Sequence, residues 1–322
     1  MIIADRILVS GLQFVAQILS ANLAFFCENA DGSVNNFCNI ISGFARLAAE
    51  ISNQKAVRVT PTARTRHRPA APLAMIFSPH PDDECITGGL ALRLKREARM
   101  NVINVAVTLG SNPRRRMARL RELKNACAFL GFDLLVAGRE ALRDINLSSR
   151  RRRPSAWGES VKVIAAILDQ SRPAVIFMPH ANDGHGTHIG THHLVMDALK
   201  RMPAGFHCCV VETEYWGQMA EPNLLVEIGV NELADLVAAL SLHRGEVKRN
   251  AYHARLPGWM MDNVRRAEMV CQPGTRAPGF PFGAIYRVRW WKRRRLAEAW
   301  SGGRVLLRRN NAASIIPRLR SS

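Results

Sequence analysis

Aromatic residues are scarce in this chain of 322 residues: Phe, Trp and Tyr make up 7 %, and only 3 are tyrosines. That scarcity argues against a platform of stacked rings for bases. No C-x-x-C pair occurs either. The 7 cysteines (Cys27, Cys38, Cys85, Cys127, Cys208, Cys209 and Cys271) are odd in number and two are adjacent. This excludes a disulfide framework and a thiolate zinc site. They read as small buried hydrophobes of a reducing compartment, the cytoplasm. Gly184 and Gly186 lack a third glycine at the offset a dinucleotide fingerprint requires. Acids are the minority charge, 26 against 45 Lys+Arg, for a net +19; from Arg287 onward Glu298 is the single acid. Such a balance admits an anionic partner. The basic residues nevertheless fall in separate runs, with no helix-turn-helix or RNA-binding motif, which argues against nucleic acid.

Hydrophobic residues at 48 % exclude wholesale disorder and supply a sizeable core. The stretch Ile7–Cys27 carries no charge and is long enough for a membrane span. Yet Ser10, Gln13, Gln17 and Ser20 draw a polar stripe at helical spacing. An amphipathic helix accounts for that stripe better than a span; a membrane anchor and a loosely ordered extension remain alternatives. Phe37–Ile51 reads as a further short helix. Residues 1–57 are therefore expected to be an N-terminal helical extension, and the Pro/Arg/Thr-rich 58–72 a linker. Residues 73–290 should form the main domain and 291–322 a basic tail. The N-terminal helix and that tail could together touch an anionic membrane surface.

Within 73–290, strand-like runs alternate with helical spacing: Leu73–Pro79, Val102–Leu109, Leu134–Ala137, Ala174–Met178 and Cys208–Tyr215 as strands, with helices over Ala91–Ala98, Arg114–Leu130, Glu159–Gln170 and Ile189–Arg201. The alternation predicts an α/β fold, a Rossmann-like, mostly parallel sheet with helices on both faces. Ligands in such sheets collect at the carboxyl ends of the strands. Two strands end in concentrated polar chemistry there. Leu73–Pro79 runs into His80-Pro81-Asp82-Asp83-Glu84, and Ala174–Met178 runs into a segment ending His185-Gly186-Thr187-His188. Three successive carboxylates repel one another unless a cation neutralises them. His80 and Asp83 can give two ligands from one turn, a third can come from the His185-x-x-His188 pair, and Asp82 can serve as a base. A metal site at the carboxyl strand ends is the expectation.

These residues resemble the LmbE/PIG-L family of zinc-dependent N-deacetylases. Pro79 to Glu84 matches its A/P-H-P-D-D-E motif, followed by Gly88-Gly89, and His185 and His188 match its H-x-x-H. Arg119-x-x-Glu122 with Ala126 and Leu130-Gly131, and the late Ala239–His243 segment, fit in order and spacing. The resemblance covers about residues 72–290. It implies Zn²⁺ held by His80, Asp83 and His188, Asp82 as general base, and His185 stabilising the oxyanion or protonating the leaving amine. It also implies an N-acetylated amino-sugar conjugate, of N-acetylglucosamine type, as substrate. Another small amide is the alternative within the enzyme class, and a basic-tail binder of nucleic acid or anionic membrane the alternative outside it. Many members carry an acid between the two histidines. Here Gly186-Thr187 stand there, so Asp183 is expected to orient His185. Arg119 is read as a substrate contact, Asp144 as an acceptor for sugar hydroxyls, and His192 as support behind the metal ligands.

Overall fold

The computed structural model describes residues 38–53, 68, 70–271, 274 and 278–316. The chain divides into two compact units, Met1–Gln54 and Lys55–Ser322. Of the first, the described part is helix α1, Cys38–Asn53, close to the expected Phe37–Ile51; its Ile41, Phe44 and Leu47 recur every third residue and are exposed. The expectation for Ile7–Cys27 falls outside the described residues, as does most of the expected linker. No helix among the described residues is long and apolar enough to cross a membrane.

The second unit is built on a nine-stranded sheet. In chain order its elements are β1 (Leu73–Ser78), α2 (Asp83–Ile86), α3 (Gly89–Glu97), β2 (Asn101–Ala106), α4 (Arg116–Leu130), β3 (Asp133–Val136), α5 (Leu147–Arg152) and α6 (Pro154–Ser171). Then follow β4 (Val175–Pro179), α7 (Gly186–Lys200), β5 (Cys208–Thr213), β6 (Leu224–Glu227), α8 (Val230–Ser241), α9 (Arg244–Val247), α10 (Tyr252–Arg265), β7 (Gly283–Lys292), β8 (Arg295–Glu298) and β9 (Arg304–Leu306). The strand order is β3-β2-β1-β4-β5-β7-β6-β9, with β8 on β7. Strands β1 to β5 are mutually parallel, and β7 opposes β5, β6 and β8. The expected mostly parallel α/β sheet is therefore present.

Period-2 alternation sorts the strands' side chains onto two cores. In β1, Ala74 and Ile76 pack with Leu90, Leu123 and Leu236, whereas Met75 and Phe77 pack with Ile164 and Leu194. Both faces are covered by helices for that reason. The chain winds outward from β1 through β2 to β3, then restarts at β4 on the other side of β1. The β1/β4 junction is thus a topological switch point, where loops leaving the two strands diverge and open a crevice.

The expected basic tail is a correction. Residues 291–298 continue β7, turn and return as β8, and β9 pairs with β6 in register Leu224↔Arg304 to Val226↔Leu306. The physical reason is alternation within Gly283–Lys292, which buries Tyr286 in one core and Trp291 in the other, while the half-buried Arg287 and Arg289 between them pair with Glu221, Glu298 and Glu212. The segment beyond β9 is also tied in. Arg93, 1 % exposed, donates to the carbonyls of Glu227, Leu306, Leu307 and Asn310. The buried guanidinium needs those acceptors, so the chain through residue 310 belongs to the domain rather than trailing from it.

Candidate metal centre at the strand switch point

The loops leaving β1 and β4 meet over a cavity of about 610 Å³. His80, Asp82, Asp83 and His185 line it, with Trp216 and Tyr252 on its wall. Asp83 Oδ2 is the hub. It accepts the His80 backbone N–H at 2.8 Å and lies 3.5 Å from His80 Nδ1 and 3.4 Å from His188 Nε2. Candidate ligand atoms of His80, His185 and His188 lie within 4.8 Å of one another. Ligand atoms around a tetrahedral zinc stand about 3.3–3.5 Å apart, given bonds of roughly 2.0–2.1 Å; the two spacings to Asp83 match that edge.

His188 carries the sharper test. Its Nδ1 lies 2.5 Å from Asp183 Oδ2, so Nδ1–H donates to the carboxylate and Nε2 keeps its lone pair. That Nε2 is buried and, among the described residues, has no hydrogen-bond partner. A buried lone pair facing a carboxylate oxygen is unfavourable until a proton or a metal cation sits between them. The donor set therefore fits a divalent metal that takes nitrogen and oxygen ligands, as zinc does.

Asp183 itself is held tightly. Its Oδ1 accepts the backbone N–H groups of Tyr215, Trp216 and Gly217 at 2.9, 3.0 and 3.3 Å. Burial alone would raise its pKa, but the neighbouring His180 and His188 imidazoles, with the backbone N–H groups, outweigh that and hold the carboxyl well below its usual range. The expectation that Asp183 orients His185 is thus corrected. The side chain folds toward α7 and takes the ring one turn further on, because its other oxygen is committed to the loop after β5. Gly184, with φ +82, makes the sharp turn that permits this, and a Cβ there would lie 3.3 Å from the Trp216 carbonyl oxygen.

His185 caps α7 with its own ring: Nδ1 accepts the Thr187 N–H at 3.3 Å. The neutral ring then carries its proton on Nε2. Burial lowers its pKa, and the His80 and His188 rings lower it further. The ring stands edge-on to His80 at 4.9 Å and is tilted 33° to the Trp216 indole at 5.8 Å.

Asp82 is buried on the opposite side of the turn, with φ 121 and ψ −26. Burial raises its pKa well above the usual carboxylate value, and Asp83 adds to the rise while Arg119 opposes it. Arg119, expected as a substrate contact, lines the cavity but spends its fork on the protein. Nη2 donates to the Pro81 carbonyl at 2.8 Å and lies 3.6 Å from Asp82 Oδ2 and 3.8 Å from Glu246 Oε2. Gly110, at φ +84, leaves the space through which that side chain passes. Asp144 lies at the exposed rim, paired with Arg153 at 3.1 Å. His192 is buried beneath the β4 loop rather than beside the ligands. Its Nδ1 donates to the Pro179 carbonyl at 3.0 Å, and burial pushes its pKa down to about 4.

Sequence reasoning missed Trp216, Tyr252 and His180. Trp216 is 48 % exposed and packs edge-on against Tyr215 and Tyr252 at 5.2 and 5.9 Å. His180 Nε2 donates to the Gly217 carbonyl at 2.9 Å, which fastens the β4 loop to the β5 loop. The signal was available for the first: Tyr215-Trp216 follow the third parallel strand end on the same rim.

Residues 75–199 match the profile of the PIG-L family, described as GlcNAc-PI de-N-acetylase. No curated protein sequence matches the chain. Among solved structures, the N,N'-diacetylchitobiose deacetylase of Pyrococcus horikoshii shares 17 % identity at TM-score 0.50, over 80 % of this chain and 94 % of that one. A deacetylase of teicoplanin biosynthesis shares 16 % at TM-score 0.51, over 68 % and 98 %. The 4-carboxy-2-hydroxymuconate hydratase of Pseudomonas putida shares 16 % at TM-score 0.51, over 67 % and 95 %. Identities this low speak for the fold alone.

Proposed function

We propose that this chain, whose residues 75–199 match the PIG-L family profile, is a zinc-dependent N-deacetylase that removes acetyl from an N-acetylated amino-sugar conjugate. The observation that carries the reading is the buried, unpartnered Nε2 of His188 facing Asp83 Oδ2, with the opposite ring nitrogen fixed by Asp183. A hydratase with the same fold is a reminder that the fold does not choose the bond; the choice rests on the residues.

His80, Asp83 and His188 would hold the metal. Zinc bound there supplies Lewis acidity that polarises an amide carbonyl and makes water more acidic. Asp82, one residue from a ligand and facing the cavity, takes a proton from the attacking water. As the amide C–N bond breaks, the same carboxyl returns the proton to the leaving nitrogen, so acetate and the free amine are the products. His185 keeps Nε2–H as a donor for the oxygen that gains charge, a contribution of about 3 kcal/mol. The neutral tautomer favours this task over protonating the amine. Trp216 and Tyr252 offer the apolar wall against which a pyranose ring can lie.

Elemental analysis of the purified protein, with acetate release from a panel of N-acetylglucosamine glycosides, tests the reading. The wild type should hold about one zinc per chain and release acetate, and His188→Ala should lose both. Zinc retained in His188→Ala, or a zinc-loaded wild type that releases no acetate from any glycoside, would overturn it.

A further inference from the structure

One buried charged cluster takes no part in the chemistry above. Glu84, Cys85 and His243 are each at most 1 % exposed and lie directly beneath the turn that carries Asp82. Glu84 Oε1 accepts His243 Nε2–H at 2.8 Å and the Cys85 thiol at 3.2 Å. Its other oxygen, Oε2, accepts the Asp82 backbone N–H at 3.0 Å. The 2.8 Å contact is a hydrogen bond, shorter than the spacing of two ligands on one metal, so the cluster is a latch rather than a second metal site.

Asp82 is where such a latch is needed. A residue with a Cβ rarely adopts φ 121, ψ −26. Strained conformations persist only where the surroundings over-determine them. Three contacts do so here. Glu84 takes the Asp82 N–H, Arg119 holds the preceding carbonyl at Pro81 O, and the Cys85 and Ile86 N–H groups bond the Asp82 carbonyl at 3.0 and 3.1 Å. The backbone is thereby turned so that successive carboxylates part company, Asp83 toward the histidines and Asp82 toward Arg119 and the cavity. A buried carboxylate needs hydrogen-bond donors on both oxygens, and His243, just beyond the end of α8, supplies one to Oε1.

We infer that Glu84 and His243 are positioning residues that hold the strained Asp82 peptide, and with it the carboxylate of the base, in its working orientation. The claim rests on the role proposed for Asp82, and it names residues that touch neither metal nor substrate.

The test uses Glu84→Leu, Glu84→Gln and His243→Phe in the full chain. Each is read by zinc content, by kcat and KM for acetate release, and by a crystal structure. Glu84→Leu and His243→Phe should keep zinc and KM. Their kcat should fall by roughly 10²-fold, the usual consequence of an ångström's misplacement, and Asp82 should relax out of its positive-φ conformation. Glu84→Gln should restore most of kcat, because its amide oxygen still accepts the Asp82 N–H while its NH₂ donates to His243 Nε2, an imidazole outside the proposed metal shell that can move its proton to Nδ1. A wild-type kcat in folded His243→Phe, an unchanged Asp82 φ in its crystals, or a Glu84→Gln as slow as Glu84→Leu would overturn the inference. Should Glu84→Leu fail to fold, Glu84→Gln and His243→Phe decide alone. If the wild type releases no acetate, the functional reading fails, while the Asp82 conformation in the variants still decides the latch.

Discussion

The segment after β1 and the loop after β4 each contain a carboxylate at most 1 % exposed that is neither a proposed metal ligand nor the proposed base. Glu84 in the first accepts one backbone N–H, one imidazole and one thiol. Asp183 in the second accepts three backbone N–H groups and one imidazole. The difference lies in what each imidazole does. His243 donates to one oxygen of Glu84 while the other grips the peptide of the proposed base. His188 is itself a candidate ligand, so Asp183 acts on the metal through one bond and on the Trp216 wall through three others. On the roles proposed above, two braces of like chemistry would serve separate ends: one setting where a proton is taken, the other how firmly a cation is held. A carboxylate behind a ligating histidine fixes its tautomer and raises its basicity.

The largest separation between the two loops should come from Asp82→Ala. This variant removes the base and leaves His80, Asp83 and His188 intact, so zinc content should stay at the wild-type level while kcat falls on the order of 10²–10⁴-fold. Loss of zinc comparable to that in His188→Ala would mean the base and ligand roles had been exchanged. Asp183→Asn should do the converse at smaller amplitude. Its amide can still accept the three backbone N–H groups through oxygen, but the NH₂ then faces His188 Nδ1–H, donor against donor. Zinc affinity, measured by chelator competition, should drop about 10–100-fold, with kcat near wild type once zinc is saturating. Unchanged affinity would remove Asp183 from the metal's support.

How much of this was legible in the sequence follows from what the signals measure. Hydrophobic patterning registers burial, so β1 to β5 and the longer helices α3, α4, α6 and α7 between them were readable, whereas the short α2 and the arginine-rich α5 were not; the rule of carboxyl strand ends placed His80–Glu84 and His185–His188 on one rim. The antiparallel strand β7 was not readable. Its Arg287 and Arg289 alternate with Tyr286, Val288 and Trp290, and a count of charge conceals a pattern of period 2. Glu84 read as one of three crowded acids, since spacing does not say which of three neighbours turns inward. Asp183 read as a partner for the nearer His185. The structure gives it to His188 because position 188 lies one turn into α7, on the side of the helix that faces back to the loop, whereas His185 spends its Nδ1 on capping that helix. Trp216 was hidden by a different omission: the strand-end rule was applied to two strands, and β5 ends on the same rim.

The smallest effect is expected at the cavity's outer edge, where the comparison of braced loops should cease to matter. Asp144 lines the cavity but its side chain is 61 % exposed and its partner Arg153 is 55 % exposed. Solvent screens both, and an exposed pair of this kind contributes about 0–1 kcal/mol. The residue sits at φ 56, a left-handed conformation that Asn adopts at least as readily as Asp. Asp144→Asn should therefore leave thermal stability within about 1 kcal/mol of wild type. A sugar hydroxyl can still bond to the amide oxygen, so kcat/KM for an N-acetylglucosamine glycoside should stay within about fivefold, the equivalent of 1 kcal/mol. The same variant assayed at low and high salt should show no change in ratio, because the charge removed is already screened. A loss of 10²-fold or more would place a substrate hydroxyl or cation on Asp144 in the bound state, and the rim would then rank with the two buried braces in setting the rate.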